Sequence, residues 1–185
     1  MSQPVAVLDA DVLVPVLVCD LLLSLFDADL FQPAVSPTIL AEVERSLIVD
    51  FPRLDPGGLR RRVGHMARAL ALHVHDVAQE ADAALAVVNR KDRHVAALAI
   101  IHHADLVVTN DRRLRREINA LGLPLQAFSA DEFVVRLVLD DRTRVDEVVD
   151  DLVTKRQRRP VTRAALLDQL AVALPRAIAE LRSAD

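Results

Sequence analysis

Four acidic residues lie where carboxylates can hold a divalent cation. Asp9 directly follows the apolar run Val5–Leu8, and Asp111 comes shortly after a second apolar run. Asp92 and Glu42 lie in segments whose apolar residues recur at helical spacing. Carboxylates that lie close together repel one another unless a hard cation is held between them, and such cations prefer oxygen ligands. These four residues are therefore candidate metal ligands.

Short apolar runs alternate with helical patterns along most of the chain, which predicts an α/β fold with a mainly parallel sheet flanked by helices. The predicted strands are residues 5–8, 32–35, 106–108 and 125–128, and the predicted helices are residues 12–26, 37–49, 59–72, 92–103, 112–121 and a segment that starts at 129 or 131 and ends near 139. Ser36-Pro37 forms a helix start, whereas the Asp-Pro-Gly-Gly run at 55–58 predicts a turn. If the strands before Asp9 and Asp111 are neighbours, both carboxylates lie at the carboxyl edge of the sheet, where open α/β sheets bind ligands.

The two helical carboxylates each have an ordinary alternative role. Asp92 lies in the first turn of its predicted helix and points along the buried face, but an Asp at a helix start is also a common cap or dipole partner. Glu42 and Glu44 both lie at the margins of an apolar stripe, and periodicity does not choose between them. A solvated helix flank is the alternative for either glutamate.

From about residue 140 the pattern changes to helices alone. Two apolar stripes at helical spacing follow, formed by Val145, Val148, Val149 and Leu152, and by Leu166, Leu170 and Leu174. The basic, proline-containing stretch 155–160 separates the two stripes. We therefore predict a domain of residues 1–139 and an all-helical C-terminal extension of residues 140–185.

Composition excludes several classes of protein. The 185 residues are 52% apolar and 27% charged, which fits a globular chain with a hydrophobic core. The net charge of -4 argues against a protein that coats nucleic acid by bulk charge, and the absence of Trp and Tyr removes the usual base-stacking platforms. Because the apolar stretches are too short to span a bilayer and the lone Cys19 has no disulfide partner, we expect a soluble cytoplasmic protein without membrane contacts.

Four short runs, taken in order, resemble the acidic motifs of PIN domains. They are residues 7–13 with Asp9 and Asp11, 39–43 with Glu42, 91–95 with Asp92, and 107–111 with Asp111. Residues 92–97 and the region around 160–162 are also similar to a bacterial VapC-like toxin branch that has an extra helical C-terminal region. By this resemblance Glu42, not Glu44, is the helix carboxylate. Asp11 stands where many members have Asn, which leaves open whether it binds metal or only orients Asp9.

The resemblance implies a metal-dependent endoribonuclease that is the toxin of a type II toxin-antitoxin pair. Asp9, Glu42, Asp92 and Asp111 would be its catalytic residues and would hold Mg²⁺ or Mn²⁺. Such an ion lowers the pKa of a bound water and neutralises charge on the scissile phosphate, so no Ser or Cys nucleophile is needed. Family resemblance also implies products with a 5′-phosphate and a 3′-hydroxyl, a small antitoxin as partner, and a homodimer.

Four residues near Asp111 complete the expected site. Thr109 and Asn110 would orient the metal ligands or a phosphate oxygen. Arg112 and Arg116 share a helix face beside the acidic residues, where they would contact the RNA backbone. A solvated helix face that carries salt bridges is the alternative for these two arginines.

Three other functions are compatible with parts of the pattern. A HAD-type phosphohydrolase would use Asp9 as a covalent nucleophile, but Val12 and Leu13 replace the Gly-Thr that usually follows its second Asp. A catalytically silent PIN-like scaffold would bind a partner without cleaving RNA. A zinc site at His102 and His103 is disfavoured, because adjacent histidines do not share one helical face.

Overall fold

The computed structural model describes residues 3–70, 73–74, 85, 87–156 and 160–183. The strands are β1 (Val5–Leu8), β2 (Gln32–Ala34), β3 (Leu106–Val108) and β4 (Gln126–Phe128). The helices are α1 (Ala10–Leu13), α2 (Val16–Asp27), α3 (Pro37–Asp50), α4 (Pro56–Ala69), α5 (Arg93–Ile101), α6 (Arg112–Asn119), α7 (Ala130–Asp140), α8 (Arg142–Lys155), α9 (Arg163–Ala171) and α10 (Pro175–Arg182). This order confirms the predicted α/β fold followed by helices.

The described strands form one parallel sheet in the order β2-β1-β3-β4. Strands β1 and β3 are neighbours, with Leu8 in register with Val108. Both strands are buried on the two faces of the sheet, which explains their continuous apolar sequences. The pairing places the residues that follow β1 and β3 side by side at the carboxyl edge.

Local capping explains where several helices begin. The Ser36 hydroxyl accepts a hydrogen bond from the backbone N–H of Ile39 (3.2 Å), with Pro37 at the first helical position. Ser129 begins α7 through a capping box with Glu132, so Ser129 and not Asp131 is the N-cap. These contacts turn short polar side chains into helix starts directly after β2 and β4.

Two predicted elements were wrong, both at prolines. The single helix predicted for residues 12–26 is two helices, because Pro15 adopts an extended conformation (ψ 118°) between α1 and α2. The turn predicted at 55–58 is the first turn of α4, where Asp55 accepts hydrogen bonds from the N–H groups of Gly57 and Gly58. Pro56 is at the first helical position, where its missing N–H costs nothing. Residues 71–72 and 157–159, which also belonged to predicted segments, lie outside the described residues.

Helices α8 to α10 pack against the α/β part of the chain. Helix α8 lies against α2 and α10 lies against α7, and their buried residues belong to one continuous hydrophobic cluster with the sheet. Asp131 accepts hydrogen bonds from the first N–H groups of α10, while the Arg142 guanidinium donates to the carbonyls of Glu180 and Leu181 (2.9 and 2.6 Å). Both ends of α10 are thereby held by side chains of α7 and α8.

No helix in the described part of the chain has the length and the apolar content to cross a membrane.

Candidate active site

Asp9 lies at the end of β1 and is held by three hydrogen bonds. Its backbone N–H donates to the carbonyl of Val108 (3.0 Å). One carboxylate oxygen accepts from the N–H of Ala10 (2.7 Å), and the other accepts from the Thr109 hydroxyl (2.7 Å). Since Thr109 is fully buried, its hydroxyl holds the Asp9 carboxylate in a fixed orientation from the interior of the protein.

Asp11 contacts the loop that follows β3. Both of its carboxylate oxygens lie within hydrogen-bond distance of the Asn110 N–H (2.9 and 3.1 Å), and one lies 3.3 Å from the Thr109 hydroxyl. Burial, followed by the negative charge of Asp9, raises the pKa of Asp11 to about 6, although the N–H of Asn110 opposes the rise. Asp11 therefore ties helix α1 to the loop that leads to Asp111.

Asp111 is the N-cap of α6. Its carboxylate accepts hydrogen bonds from the N–H groups of Arg113 (2.6 Å) and Leu114 (3.2 Å), and its own N–H donates to the Thr109 hydroxyl oxygen (3.2 Å). Asn110 completes the loop, since its side-chain oxygen accepts from the N–H of Ala130 (3.2 Å) at the start of α7. The loop between β3 and α6 is thus attached to α1 on one side and to α7 on the other.

Asp92 stands at the N-cap position of α5 but makes no side-chain capping hydrogen bond. Burial, and then the negative charges of Asp111 and Asp9, raise the pKa of its carboxyl group. A capping carboxylate would accept a hydrogen bond from its own helix, and the Asp92 carboxylate accepts no such bond. The simple helix-cap role considered for Asp92 is therefore not the one that the structure shows.

Glu42 and Glu44 point to different neighbours. Glu44 pairs with Arg60 on α4 (3.1 Å). Glu42 lies 3.2 Å from Nε2 of His94, two residues after Asp92, although the contact lacks the geometry of a hydrogen bond. The other ring nitrogen of His94 donates to the carbonyl of Lys91 (2.9 Å). The Glu42 carboxylate therefore contacts the His94 ring and not one of the three aspartates.

Glu117, which sequence reasoning did not single out, also belongs to this region. Glu117 on α6 accepts a hydrogen bond from the backbone N–H of Asn89 (2.8 Å). It also forms an ion pair with Arg113 (2.6 Å). The charge of Glu117 acts on both Asp92 and Asp111. Its sequence signal is the i, i+4 spacing with Arg113, which is common on solvated helices.

Comparison with known proteins gives one family. A family model described as PIN domain matches residues 5–113, which is more than half of the chain. The chain belongs to the PIN domain family. PIN domains are typically nucleases, act on RNA and generally use divalent metal ions, so this chain is assigned to the nucleases. Searches of curated proteins and of solved structures gave no significant match.

The donor set of this PIN domain fits a hard divalent ion in its chemistry. Among the described residues, no group of three or more Asp, Glu, His or Cys side chains is placed so that it could hold a metal ion. Mg²⁺ commonly takes one or two carboxylates and keeps several waters, so a complete protein cage is not required. Asp92 offers an uncapped carboxylate whose repulsion by Asp9 and Asp111 a cation would relieve.

Arg112 and Arg116 of the PIN domain lie on an open cavity of about 550 Å³ beside β4. Both side chains are exposed, and among the described residues neither has a carboxylate within ion-pair distance. Arg113 and Arg115, which flank them along the helix, are paired with Glu117 and Glu132. The two arginines predicted to contact substrate therefore carry the uncompensated positive charge of α6.

Proposed function

We propose that this PIN domain is an endoribonuclease that requires Mg²⁺ or Mn²⁺. The observation that carries the proposal is the uncapped carboxylate of Asp92, which lies within electrostatic range of Asp9 and Asp111 at the carboxyl edge of the sheet. Hard cations take oxygen ligands, and Asp9, Asp92 and Asp111 would supply three carboxylates from two strand ends and one helix start. Residues 1–139 would form the nuclease domain, with residues 140–185 as a helical extension.

The residues divide the chemical work by their contacts. Asp9, Asp92 and Asp111 would hold the cation, and Glu42 would join them from α3 beside His94. A bound divalent ion supplies charge neutralisation at the scissile phosphate and lowers the pKa of water. The Thr109 hydroxyl donates a hydrogen bond to Asp9, which keeps that carboxylate oriented. The hydroxyl oxygen accepts a hydrogen bond from the Asp111 N–H.

Asp11 would position this machinery and would not bind the cation itself. Its two oxygens are engaged by the Asn110 N–H, and it stands between Asp9 and the loop that carries Asp111. Asn110 in turn holds α7 through Ala130. This network would preserve the spacing of the acidic residues while substrate enters.

The experiment is cleavage of single-stranded RNA by the purified protein with Mg²⁺, with Mn²⁺ and with excess chelator. Asp9→Asn should reduce cleavage at least about a hundredfold, because a carboxamide cannot supply the anionic ligand. The matched control is Asp168→Asn, which alters an exposed carboxylate that pairs with Arg182 far along the chain. Full activity in chelator would overturn the metal mechanism, and cleavage of DNA in preference to RNA would overturn the choice of substrate.

The same assay addresses the two rival functions. Burst release of phosphate from a small monoester would favour a HAD-type enzyme with Asp9 as nucleophile. No cleavage under any metal condition by a folded protein would favour a silent binding scaffold. The family match, together with an Asp92 carboxyl group that its own helix does not cap, supports the nuclease over both.

We further propose that the protein is a VapC-like toxin that acts in the cytoplasm as a homodimer with a small antitoxin. The motif runs around Asp92 and Pro160 support this branch of the family. The test is co-expression with the product of a short neighbouring reading frame. Recovery of one complex in which RNA cleavage is suppressed is expected, and a neighbouring product that neither binds nor inhibits would contradict the pairing.

A further inference from the structure

A basic cleft runs along the free edge of the sheet between α6 and α7. Two adjoining cavities of about 550 and 470 Å³ share Ala127 and Glu132, and β4 lies at their base. Five arginines line this β4 cleft, together with the acidic residues Glu132 and Asp140. The arginines are Arg112, Arg115, Arg116, Arg136 and Arg176. The cleft thus carries a local positive charge on a protein whose net charge is -4.

Two acidic residues face five arginines and do not cancel this charge, although Asp140 lies 3.8 Å from Arg136. Glu132 already accepts hydrogen bonds from Ser129 and Arg115 and lies 3.6 Å from Arg176, so one carboxylate serves two guanidinium groups. Nε of Arg115 is buried without a hydrogen-bond partner. The exposed guanidinium groups of Arg112 and Arg116, which have no described carboxylate partner, are the donors that an anionic ligand can reach.

The second part of the cleft has an apolar surface. Arg136 lies over the Phe128 ring at 5.9 Å, and Leu139 is 68% exposed beside it. Val135 is half-buried at the same place. The guanidinium groups suit the phosphates of a single strand of nucleic acid, and the exposed apolar surface at Leu139 can pack against its bases.

The cleft begins at the candidate active site. Arg112 follows Asp111 directly, and the N–H of Thr109 donates to the carbonyl of Phe128 (2.9 Å). Strand β4 is two positions from β1 in the sheet, which is roughly 10 Å at the usual spacing of neighbouring strands. A strand of substrate at Asp9 can therefore continue into the cleft.

The edge of β4 is poorly suited to an added peptide strand. A peptide that extends the sheet must bond to the outward N–H groups of β4. The N–H of Ala127 is already taken by the Asn119 side chain (2.8 Å). An extended acidic peptide therefore fits this edge less well than a nucleic acid backbone, which needs no strand hydrogen bonds.

We propose that the β4 cleft binds the single-stranded RNA that leads away from the scissile bond, and that the C-terminal helix α10 takes part through Arg176. The inference rests on the proposed function for the identity of the substrate. It extends that function by giving the path of the strand and by assigning the helical extension a part in substrate binding.

The test is binding of a labelled single-stranded RNA, measured by fluorescence anisotropy in chelator with the non-cleaving Asp9→Asn protein. Arg176→Glu in this background should raise Kd about tenfold. The slope of log Kd against the logarithm of the salt concentration should fall by about one, as expected for a lost phosphate contact. Arg116→Glu should have a similar effect. The matched control is Arg182→Glu, a charge reversal on the same helix outside the cleft, which should leave Kd unchanged.

Folding is checked by thermal melting of each variant, and Arg176→Gln provides a milder change if charge reversal unfolds α10. Equal affinity of the Arg176 and Arg182 variants for RNA would overturn the proposal. Binding of polyglutamate that depends on Arg176, without binding of RNA, would also overturn it and point to an acidic protein partner.

The two proposals can fail separately. If the wild-type protein binds RNA through the cleft but cleaves nothing, the RNA-binding proposal is supported and the ribonuclease proposal is contradicted. If cleavage depends on metal but kcat and KM are unchanged in the Arg116 and Arg176 variants, the ribonuclease proposal is supported and the RNA-binding role of the cleft is contradicted. If the cleft acts as proposed, these variants raise KM for long RNA more than they raise KM for a dinucleotide.

Discussion

Glu117→Ala should destabilise the protein and disturb the turn that carries Asp92. Glu117 accepts a hydrogen bond from the Asn89 N–H (2.8 Å), and the carbonyl of Asn89 accepts from the Asp92 N–H (2.8 Å). The alanine variant leaves the Asn89 N–H without its charged acceptor. It also breaks the ion pair with Arg113 on the same helix.

The expected magnitude follows from these two contacts. A hydrogen bond to a charged group is worth about 1.5–3 kcal/mol, and an i, i+4 ion pair with an exposed arginine about 0.3–0.5 kcal/mol. Loss of a negative charge beside Asp92 and Asp111 relieves repulsion and offsets part of this cost. We expect a net loss of about 1–2 kcal/mol, which lowers Tm by roughly 2–8 °C for a protein of this size.

Thermal melting and urea denaturation of three variants measure the effect. Glu117→Gln keeps an oxygen that can accept from Asn89 while it removes the charge, so its Tm should lie between the alanine variant and the parent. Glu147→Ala is the control, since it removes an exposed glutamate of α8 away from this turn. Cleavage of RNA should fall about tenfold or more in Glu117→Ala with little change in KM, because a displacement near 1 Å at a catalytic group is costly.

If Glu117→Ala melts and cleaves RNA like the parent protein, Glu117 neither stabilises the fold nor positions the turn that carries Asp92. A lower Tm with unchanged kcat would confine Glu117 to a structural role. Loss of activity in the glutamine variant, despite a retained Tm, would show that the charge acts on Arg113 and not on the turn.

Asp92→Asn should abolish cleavage. At pH 7 in chelator it should also raise Tm, because the raised pKa of Asp92 means that the ionised carboxylate destabilises the folded state. This gain in Tm should disappear below about pH 4, where Asp92 is protonated. Equal melting of variant and parent at both pH values would remove Asp92 from the acidic group. Cys19, whose pKa burial raises to about 11, should not react with a thiol reagent at pH 7 until the protein is unfolded, and rapid labelling of native protein would contradict its burial. Arg142→Ala should lower the free energy of unfolding by roughly 2 kcal/mol, because the carbonyls of Glu180 and Leu181 lose their donor, and an unchanged urea midpoint would refute this contact.

The sheet and its carboxyl edge could be predicted from the sequence because both depend on local patterns. Continuous apolar runs predict strands buried on two faces, and parallel strands end at a shared edge. Asp9 and Thr109 therefore had to lie close together once β1 and β3 were neighbours. The helix starts at Ser36 and Ser129 follow from capping chemistry, which also acts over three or four residues.

The remaining features depend on contacts between distant residues or on one backbone angle. Asp92 resembles a helix cap in sequence, and only its backbone conformation (φ -105°, ψ 0°) leaves the carboxylate free of its own helix. Glu117 could not be found from its spacing, because its partner Asn89 lies 28 residues earlier. Glu42 and Glu44 differ in the neighbours supplied by α5 and α4, which periodicity within α3 cannot show.

The pairing of β1 with β3 has a consequence for when catalytic power arises during folding. Asp9 and Asp11 receive their hydrogen bonds from Thr109 and Asn110, across a separation of about 100 residues. Closing so long a loop has an entropic cost, so this contact forms after the local helices. A growing or partly folded chain that lacks β3 has no assembled acidic centre. On the proposed function, a nascent chain would cleave RNA only after β3 has paired with β1.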